Sequence, residues 1–551
     1  MVLLDYIAIL LFVAGILCAG LAFSGKQKDM KSFFSAGGAV PWGISGLSLF
    51  MGFFSAGTFV VWGSIGYSHG LVAVMIQETM CLAGLLVGLL IAPRWHRTRA
   101  LTAAEYITER FGLSVQKTYT ILFLFVSLFN TGSFLYPIAK IISVSTGLGL
   151  ELSIILLGLF CILYVSLGGL WSVVITDVLQ FVVLMAAVVL LTPLALDKVG
   201  GLHSFIASAP EGFFNLTDSS YTWAFMIAFG IYNAVFIGGN WAYVQRFTSV
   251  RTDSDARKVG LLFSGLYVIC PLLWMLPPML YRILNGGLAG TADEGAFLMM
   301  CKEVLPSGLL GMMLGGMIFA TASSFNAMLN ISAGVFTNDI YRNIFKGSSE
   351  KTLMRVAKIS TTVFGLLAIV VALMVPAMGG IVNVVISVAA LTGVPLFLPV
   401  IWSLFSKYQT RRSLLVTTLT CLAVNMFFKF AAPSLLGITL DRAAEMILGV
   451  SLPVVMLAAF EIVRRLQNSP DPMHEAYRRL QEGKAQEARA ASGDNSYGVK
   501  VIGVGTFTAG IIETVLGVFA SHHRLLVVAL GLVLVSVGAL LLLSNRKKKR
   551  I

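Results

Sequence analysis

Charge is scarce in this chain. Asp, Glu, Lys and Arg make up 12% of its 551 residues, hydrophobic residues make up 57%, and the mean hydropathy is +0.87. So few charges cannot coat a soluble globule of this size, and no soluble core could hide so much apolar surface. Cysteine is sparse too. Of the six, Cys18, Cys81, Cys161, Cys270, Cys301 and Cys421, five fall inside apolar segments and Cys301 falls in an outer loop, so no structural disulfide is expected. No Cys/His pair has metal-ligand spacing, and no Gly-rich phosphate loop is followed by Lys-Ser or Lys-Thr. These absences argue against an ATP-driven pump. A nucleophile–base–metal constellation is also missing, so the chain reads as something other than an enzyme.

What is present is apolar sequence in long runs. About fifteen segments approach the ~20 residues that cross a bilayer: 3–23, 43–66, 70–93, 118–145, 151–168, 170–195, 223–245, 259–284, 307–336, 358–378, 381–406, 413–432, 442–463, 500–520 and 524–544. The start, Met-Val-Leu-Leu-Asp, lacks the basic region of a cleaved signal, so the first segment is expected to stay in the membrane. Basic residues retained on the cytoplasmic side set the orientation. With the N-terminus outside, Lys26, Lys28, Lys31, Arg94, Arg97, Arg99, Arg110, Lys117, Arg246, Arg251, Arg257 and Lys258 fall on cytoplasmic loops. Arg342 to Lys358, Lys407 to Arg412, the linker from Arg464 to Lys500 and the tail Arg546–Arg550 join them. That bias accounts for the net charge of +13 through the bilayer alone, with no nucleic-acid partner and no obligatory protein partner required.

Two features suggest a buried cation and a solute. In 315–342 an apolar segment carries adjacent hydroxyls, Ser323 and Ser324, one turn after Ala320, then Asn326 and Asn330. Uncharged oxygens at mid-membrane suit a bare monovalent cation, although small Ser and Ala residues also let membrane helices pack closely. Segment 43–66 and segment 223–245, five apart, are each interrupted by glycine: Gly46, Gly52 and Gly57 with Ser48 and Ser55 in one, Gly238-Gly239-Asn240-Trp241 in the other. Transporters with inverted repeats bind substrate where such helices break, and the unwound backbone offers carbonyls to a cation.

Thr58, Gln77, Glu78, Asn240 and Trp241 are placed within reach of that pocket. Gln77 and Asn240 could equally bond neighbouring helices, and Trp241 could be core or gate. Intramembrane acids default to function, which gives weight to Glu78 and to Asp177, about two turns into its helix. Asp177 is suited to relay a cation towards the cytoplasm; the alternative is a partner for a basic loop residue.

At this point the chain resembles the sodium/solute symporter family of sodium-coupled sugar, proline, pantothenate and sialic-acid carriers, over roughly 30–465. Four stretches carry the likeness: 101–112 (Leu-Thr-Ala-Ala-Glu-Tyr-Ile-Thr-Glu-Arg-Phe-Gly), 168–180 with Thr176, Asp177 and Gln180, Asn240 to Arg246, and Ala320 through Arg342. The resemblance implies an all-α membrane protein with a 5+5 inverted-repeat core, segments 2–6 and 7–11. It implies sodium held by the carbonyls of Met51, Phe54 and Ala320 and the hydroxyls of Ser323 and Ser324, with Asp177 on the exit path. Thr58, Gln77 and Asn240 match positions that contact solute in sugar-carrying relatives. Phe53 stands where members often carry a polar or acidic residue.

The expected layout is an N-terminal helix and loop over 1–42, a transport core over 43–406, two peripheral helices over 407–465, a charged cytoplasmic linker over 466–499, and two extra helices with a basic tail over 500–551, C-terminus cytoplasmic. Gln481 to Arg489 reads as a solvated helical tether, with no kinase or nucleotide-binding domain. The expected activity is import of a small polar solute, sugar-like by its amide and hydroxyl partners, coupled to sodium across the plasma (inner) membrane by alternating access. A transporter-like solute receptor, or a symporter of a carboxylate or amino acid, is the alternative.

Overall fold

The computed structural model describes residues 2–11, 14, 40–100, 102–165, 170–345, 347–487, 496–519 and 524–548. Among these, every regular element is helical. The first helix of the core, α1 (Trp42–Met51), ends at Gly52; four irregular residues and a short wide turn, Thr58–Trp62, lead into α2 (Gly63–His69). There follow α3 (Leu71–Leu86), the short α4 (Ala103–Phe111), α5 (Leu113–Thr146), α6 (Leu150–Val165), α7 (Leu170–Val199), α8 (Trp223–Gly239) and α9 (Trp241–Thr248). Then come α10 (Asp253–Leu284), α11 (Leu309–Val335), α12 (Glu350–Met374), α13 (Ile381–Val388), α14 (Val394–Ser403), α15 (Arg411–Met426) and α16 (Arg442–Leu466). The chain closes with α17 (Pro472–Glu487), α18 (Ser496–Phe519) and α19 (Arg524–Lys548).

Ten helices among the described residues are long and apolar enough to cross a membrane, eleven if the bent pair α8–α9 counts as one span. Trp42–Met51, Leu150–Ile162 and Ile502–Val515 are apolar but shorter. The expected fifteen crossings are therefore not all matched by full-length spans: segment 43–66 is split by its break, and segment 3–23 lies largely outside the described residues. The chain is a multi-pass membrane protein.

Local chemistry explains where these helices begin. Thr222 caps α8 by accepting from the Phe225 amide (3.3 Å), and Asp441 caps α16 through the Ala444 amide (2.7 Å). Asp5, from the N-terminal helix, accepts from the amides of Gly308 (2.6 Å) and Gly311 (3.3 Å). A carboxylate thus sits at the positive end of α11, where it is favoured, and ties the chain's first turn to the helix that carries Ser323 and Ser324.

The linker is more than a solvated tether. One face of α17 docks on α4: Lys484 Nζ bonds Glu105 (3.0 Å) and Glu109, Arg99 donates to the Lys484 carbonyl (2.9 Å), and the rings of Tyr106 and Tyr477 meet edge-on at 5.6 Å. Arg110, fully buried, pairs with Asp471 just before α17. Residues 488–495 lie outside the described part. The final hairpin packs α18 on α19 through small residues: a side chain at Gly531 would meet the Thr514 backbone at 2.6 Å.

Candidate functional site

The break after α1 is made by its own side chains. In a continuous helix the Ser55 amide would point at the Met51 carbonyl; here it donates to Thr58 Oγ1 (3.2 Å), while the Thr58 hydroxyl donates back to the Phe53 carbonyl. The Gly57 amide turns to Ser55 Oγ (3.3 Å), and the Ala56 amide reaches across to Thr321 Oγ1 on α11 (3.2 Å). Hydroxyls thereby replace helical carbonyls as acceptors, the exchange that lets backbone unwind where water is absent. Glycine at 52 is needed for space, because a Cβ there would stand 2.8 Å from the Tyr243 ring.

The second break is sharper. Gly239 ends α8, Asn240 is extended (φ −63°, ψ 127°), and α9 leaves at 60° to α8. The Asn240 side-chain oxygen accepts from the Ala242 amide (3.0 Å), so this residue caps the helix it starts.

Between the breaks, four helices meet at Asp177. Its two carboxylate oxygens accept from Ser48 of α1 (2.6 Å) and Ser323 of α11 (2.7 Å). Arg246 of α9 donates to the Ser48 hydroxyl (3.0 Å) and lies 3.8 Å from the Asp177 carboxylate. All four residues are buried. Arg246, counted above among the basic loop residues, is thus inside the protein: the bend at Asn240 carries α9 beneath α1 and brings the guanidinium to the acid. Asp177 thus has the basic partner that one reading of it expected, and it also bonds Ser323, one of the residues proposed to hold the cation. Ser48, Thr321 and Arg246 join this site without having stood out in the sequence as site residues. Ser45 and Ser48, one turn apart just before the break, were the available signal; Ser45 bonds the Arg246 carbonyl (2.8 Å).

Met51, Phe54 and Ala320 are buried, and Ser323 is on the same turn of α11 as Thr321, the residue that the break's Ala56 reaches. Ser324 directs its hydroxyl to the Ala320 carbonyl (3.2 Å). Of the residues expected to hold sodium, Met51 and Phe54 lie at the end of α1 and in its break, and Ala320, Ser323 and Ser324 lie on α11, which the Ala56–Thr321 bond ties to that break.

Above this knot lies a cavity of about 140 Å³. Thr58, Gln77 and Asn240 line it with Ser55, Asn130 and Asn233, and Phe53, Trp62 and Tyr243 supply aromatic wall. No charged side chain is among its described lining residues. Asn233 is committed to Thr79 (2.9 Å). Trp241 is not brought to this cavity; its ring stacks on Phe123 at 4.3 Å, nearly parallel. Glu78 is half-buried and also absent from the lining. Phe53 packs against Tyr243 at 4.6 Å and closes the cavity floor with it.

One broken helix thus borders both a buried Asp177–Ser48–Ser323–Arg246 cluster and a small neutral cavity. The fold resembles that of a Na+-coupled sialic acid symporter solved in a substrate-bound outward-open state, at 21% identity and a TM-score of 0.72, covering 84% of this chain and 98% of that one. The sequence is 27% identical to the sodium/glucose cotransporter of Vibrio parahaemolyticus over 469 residues, 78% of this chain and 85% of that one. It is 24% identical to the sodium/sialic acid symporter NanT of Aliivibrio fischeri over 392 residues, 67% and 75% of the two chains. It is also 27% identical to the human sodium/iodide cotransporter over 391 residues, 66% and 59% of the two chains. The family model for the sodium:solute symporter family matches residues 33–420. The chain belongs to the sodium:solute symporter family.

Proposed function

We propose that this protein imports a small, uncharged, hydroxyl-rich solute together with sodium, by alternating access across the plasma membrane. The observation that carries the choice of solute is the cavity's lining: amides and hydroxyls at Thr58, Gln77, Asn130 and Asn240, aromatic walls, and no charged side chain among the described residues. A desolvated carboxylate would need a cation there, and Arg246 is engaged with Ser48 and Asp177 instead. Relatives of different names, glucose, sialic acid and iodide carriers among them, leave the solute open at the level of family. In this reading the core is a 5+5 inverted repeat of segments 2–6 and 7–11 within a fifteen-helix topology, N-terminus outside and C-terminus cytoplasmic.

Sodium sits between the break and α11, held by the carbonyls of Met51, Phe54 and Ala320 with Ser323 and Ser324. Ser323 must then turn from Asp177 to the ion, or share its oxygen with it while still donating to the acid. Occupancy orders the broken α1 against α11 and so shapes the Thr58 wall of the cavity; by linkage, solute strengthens sodium binding by the same factor. The membrane potential contributes about 2.3 kcal/mol per charge per 100 mV to inward movement. Once the cytoplasmic path opens, Asp177 offers the ion its next ligand.

Purified protein in liposomes, given an inward sodium gradient, should accumulate at least one labelled hexose or polyol and should not do so with potassium. Sodium-dependent binding without counterflow would instead support the receptor reading. Accumulation of amino acids or organic acids alone would overturn the neutral-solute assignment.

A further inference from the structure

A second, larger cavity of about 920 Å³ lies on the far side of α13 from the central one, and Val388 lines both. Its composition changes along its length. At the end bounded by loop residues Ser219, Ser220 and Leu440 it presents Asn383, Lys429, Asp441, Arg442 and Glu445. Towards mid-membrane the walls are Phe125, Phe129, Leu391 and Met426. Phe125 is 54% exposed, so the apolar end opens sideways towards hydrocarbon. From Asn383 to Thr392 the wall advances nine residues, about 14 Å at the helical rise of 1.5 Å per residue, close to half the ~30 Å hydrocarbon core.

The charges at the polar end are not equally engaged. Lys429 is neutralised by Glu445 (2.7 Å) and also donates to Ser387 (2.9 Å). Asp441 is exposed and committed to capping α16. Arg442 donates to the Tyr221 hydroxyl (2.8 Å) and to Asn383 (2.5 Å), both neutral oxygens, and its guanidinium lies 5.8 Å from the Tyr221 ring centre. No carboxylate pairs with Arg442 among the described residues.

A half-buried guanidinium held by neutral partners, at the mouth of an apolar slot one leaflet deep, is matched by an anion carried on an acyl chain. We propose that this cavity is a lipid site: Arg442 takes the phosphate or carboxylate of an anionic amphiphile, and its chain lies along Phe125, Phe129 and Met426. The occupant braces α13, the wall shared with the central cavity, and the wide turn Ala389–Gly393 that follows it. The site does not depend on the identity of the transported solute.

Native mass spectrometry of the full chain, titrated with phosphatidylglycerol in mild detergent, tests this. Wild type should retain one tightly bound phosphatidylglycerol. Arg442→Gln should weaken that binding at least tenfold, and so should Met426→Trp, which fills the apolar slot and leaves Arg442 untouched. Monodisperse elution of both variants guards against misfolding. Palmitate displacing phosphatidylglycerol from wild type but not binding Arg442→Gln would name a fatty acid as the physiological source; failure of palmitate to compete would name the phospholipid. Binding equal in wild type and both variants would overturn the site, as would displacement of the lipid by a neutral hexose.

Discussion

The region around Asp177 and the cavity above it are built from opposite materials, although one broken helix serves both. Below the break an acid and an arginine are buried together with Ser48 and Ser323, their oxygens and nitrogens pointing at one another. Above it, neutral amides and hydroxyls face an open space and no charge intrudes among the described residues. Ser48 and Gly52 are four residues apart, about 6 Å along a helix, yet one belongs to the charged knot and the other to the neutral cavity. In the proposed mechanism ion handling and solute handling are separated by a single turn, and the unwound backbone between them is the element both would sense.

The greatest damage should come from breaking the charged side. Asp177→Ala leaves Arg246 buried without its acid, a loss of about 3–5 kcal/mol when one partner of a buried pair is removed. The variant should unfold at markedly lower temperature in detergent, and Asp177→Ala with Arg246→Met should recover part of the loss. Equal stability of wild type and Asp177→Ala would mean that the pair is not the knot described here.

The neutral side should fail differently. Gln77→Leu removes one hydrogen bond to solute, about 1.4 kcal/mol or tenfold in solute half-saturation, while the sodium half-saturation measured at saturating solute stays within twofold. A sodium effect as large as the solute effect would erase the distinction between the two regions. Asn240→Ala should show both consequences of its position: about 1 kcal/mol of stability for the lost cap and weaker solute binding. Asn240→Asp keeps a capping oxygen and should restore the stability alone.

The smallest expected effect lies outside both regions. In the loop before α8, burial would raise Asp218, but the Tyr221 amide and His69 outweigh it and hold its carboxyl below the ordinary range. A depressed folded-state value means that this stabilisation is complete above the unfolded value and is lost as pH falls through the folded one. The protection of residues 209–222 against hydrogen exchange, taken relative to the intrinsic rate at each pH, should therefore fall between pH 5 and pH 3 in wild type. Asp218→Asn should show low protection at both, and a pH response unchanged by that substitution would remove Asp218 as its origin.

Helical spans and their breaks were legible in the sequence because bilayer crossing demands long apolar runs, and Gly52 and Gly238-Gly239 interrupt them locally. Thr58 and Asn240 could be placed near one cavity because they flank those interruptions, and Gln77 because it matches a solute-contacting position in the relatives the sequence resembles. Trp241 could not be assigned, since its ring direction depends on Phe123, from a helix more than 100 residues earlier. Arg246 was equally opaque. A basic residue at the end of an apolar run looks like a loop anchor until a 60° bend turns it inward. The docking of α17 on α4 depends on pairs such as Arg110–Asp471, separated by 361 positions, and a single sequence carries no trace of such partners. Nor does it show the slot beside α13, whose walls come from four separate stretches of chain.

The central claim is that sodium binds between the broken α1 and α11 through Ser323 and Ser324. Sodium-dependent thermal stabilisation of the purified protein tests it without any knowledge of the solute. Wild type should gain stability with sodium and not with potassium at equal ionic strength, with a defined half-saturation. Ser324→Ala should raise that half-saturation about tenfold, the equivalent of one lost ligand worth ~1.4 kcal/mol, while its stability without sodium falls by no more than about 0.6 kcal/mol, the average for a hydrogen bond between membrane helices. An unchanged sodium half-saturation in Ser324→Ala and in the Ser323→Ala, Ser324→Ala double variant would contradict the account and move the ion elsewhere.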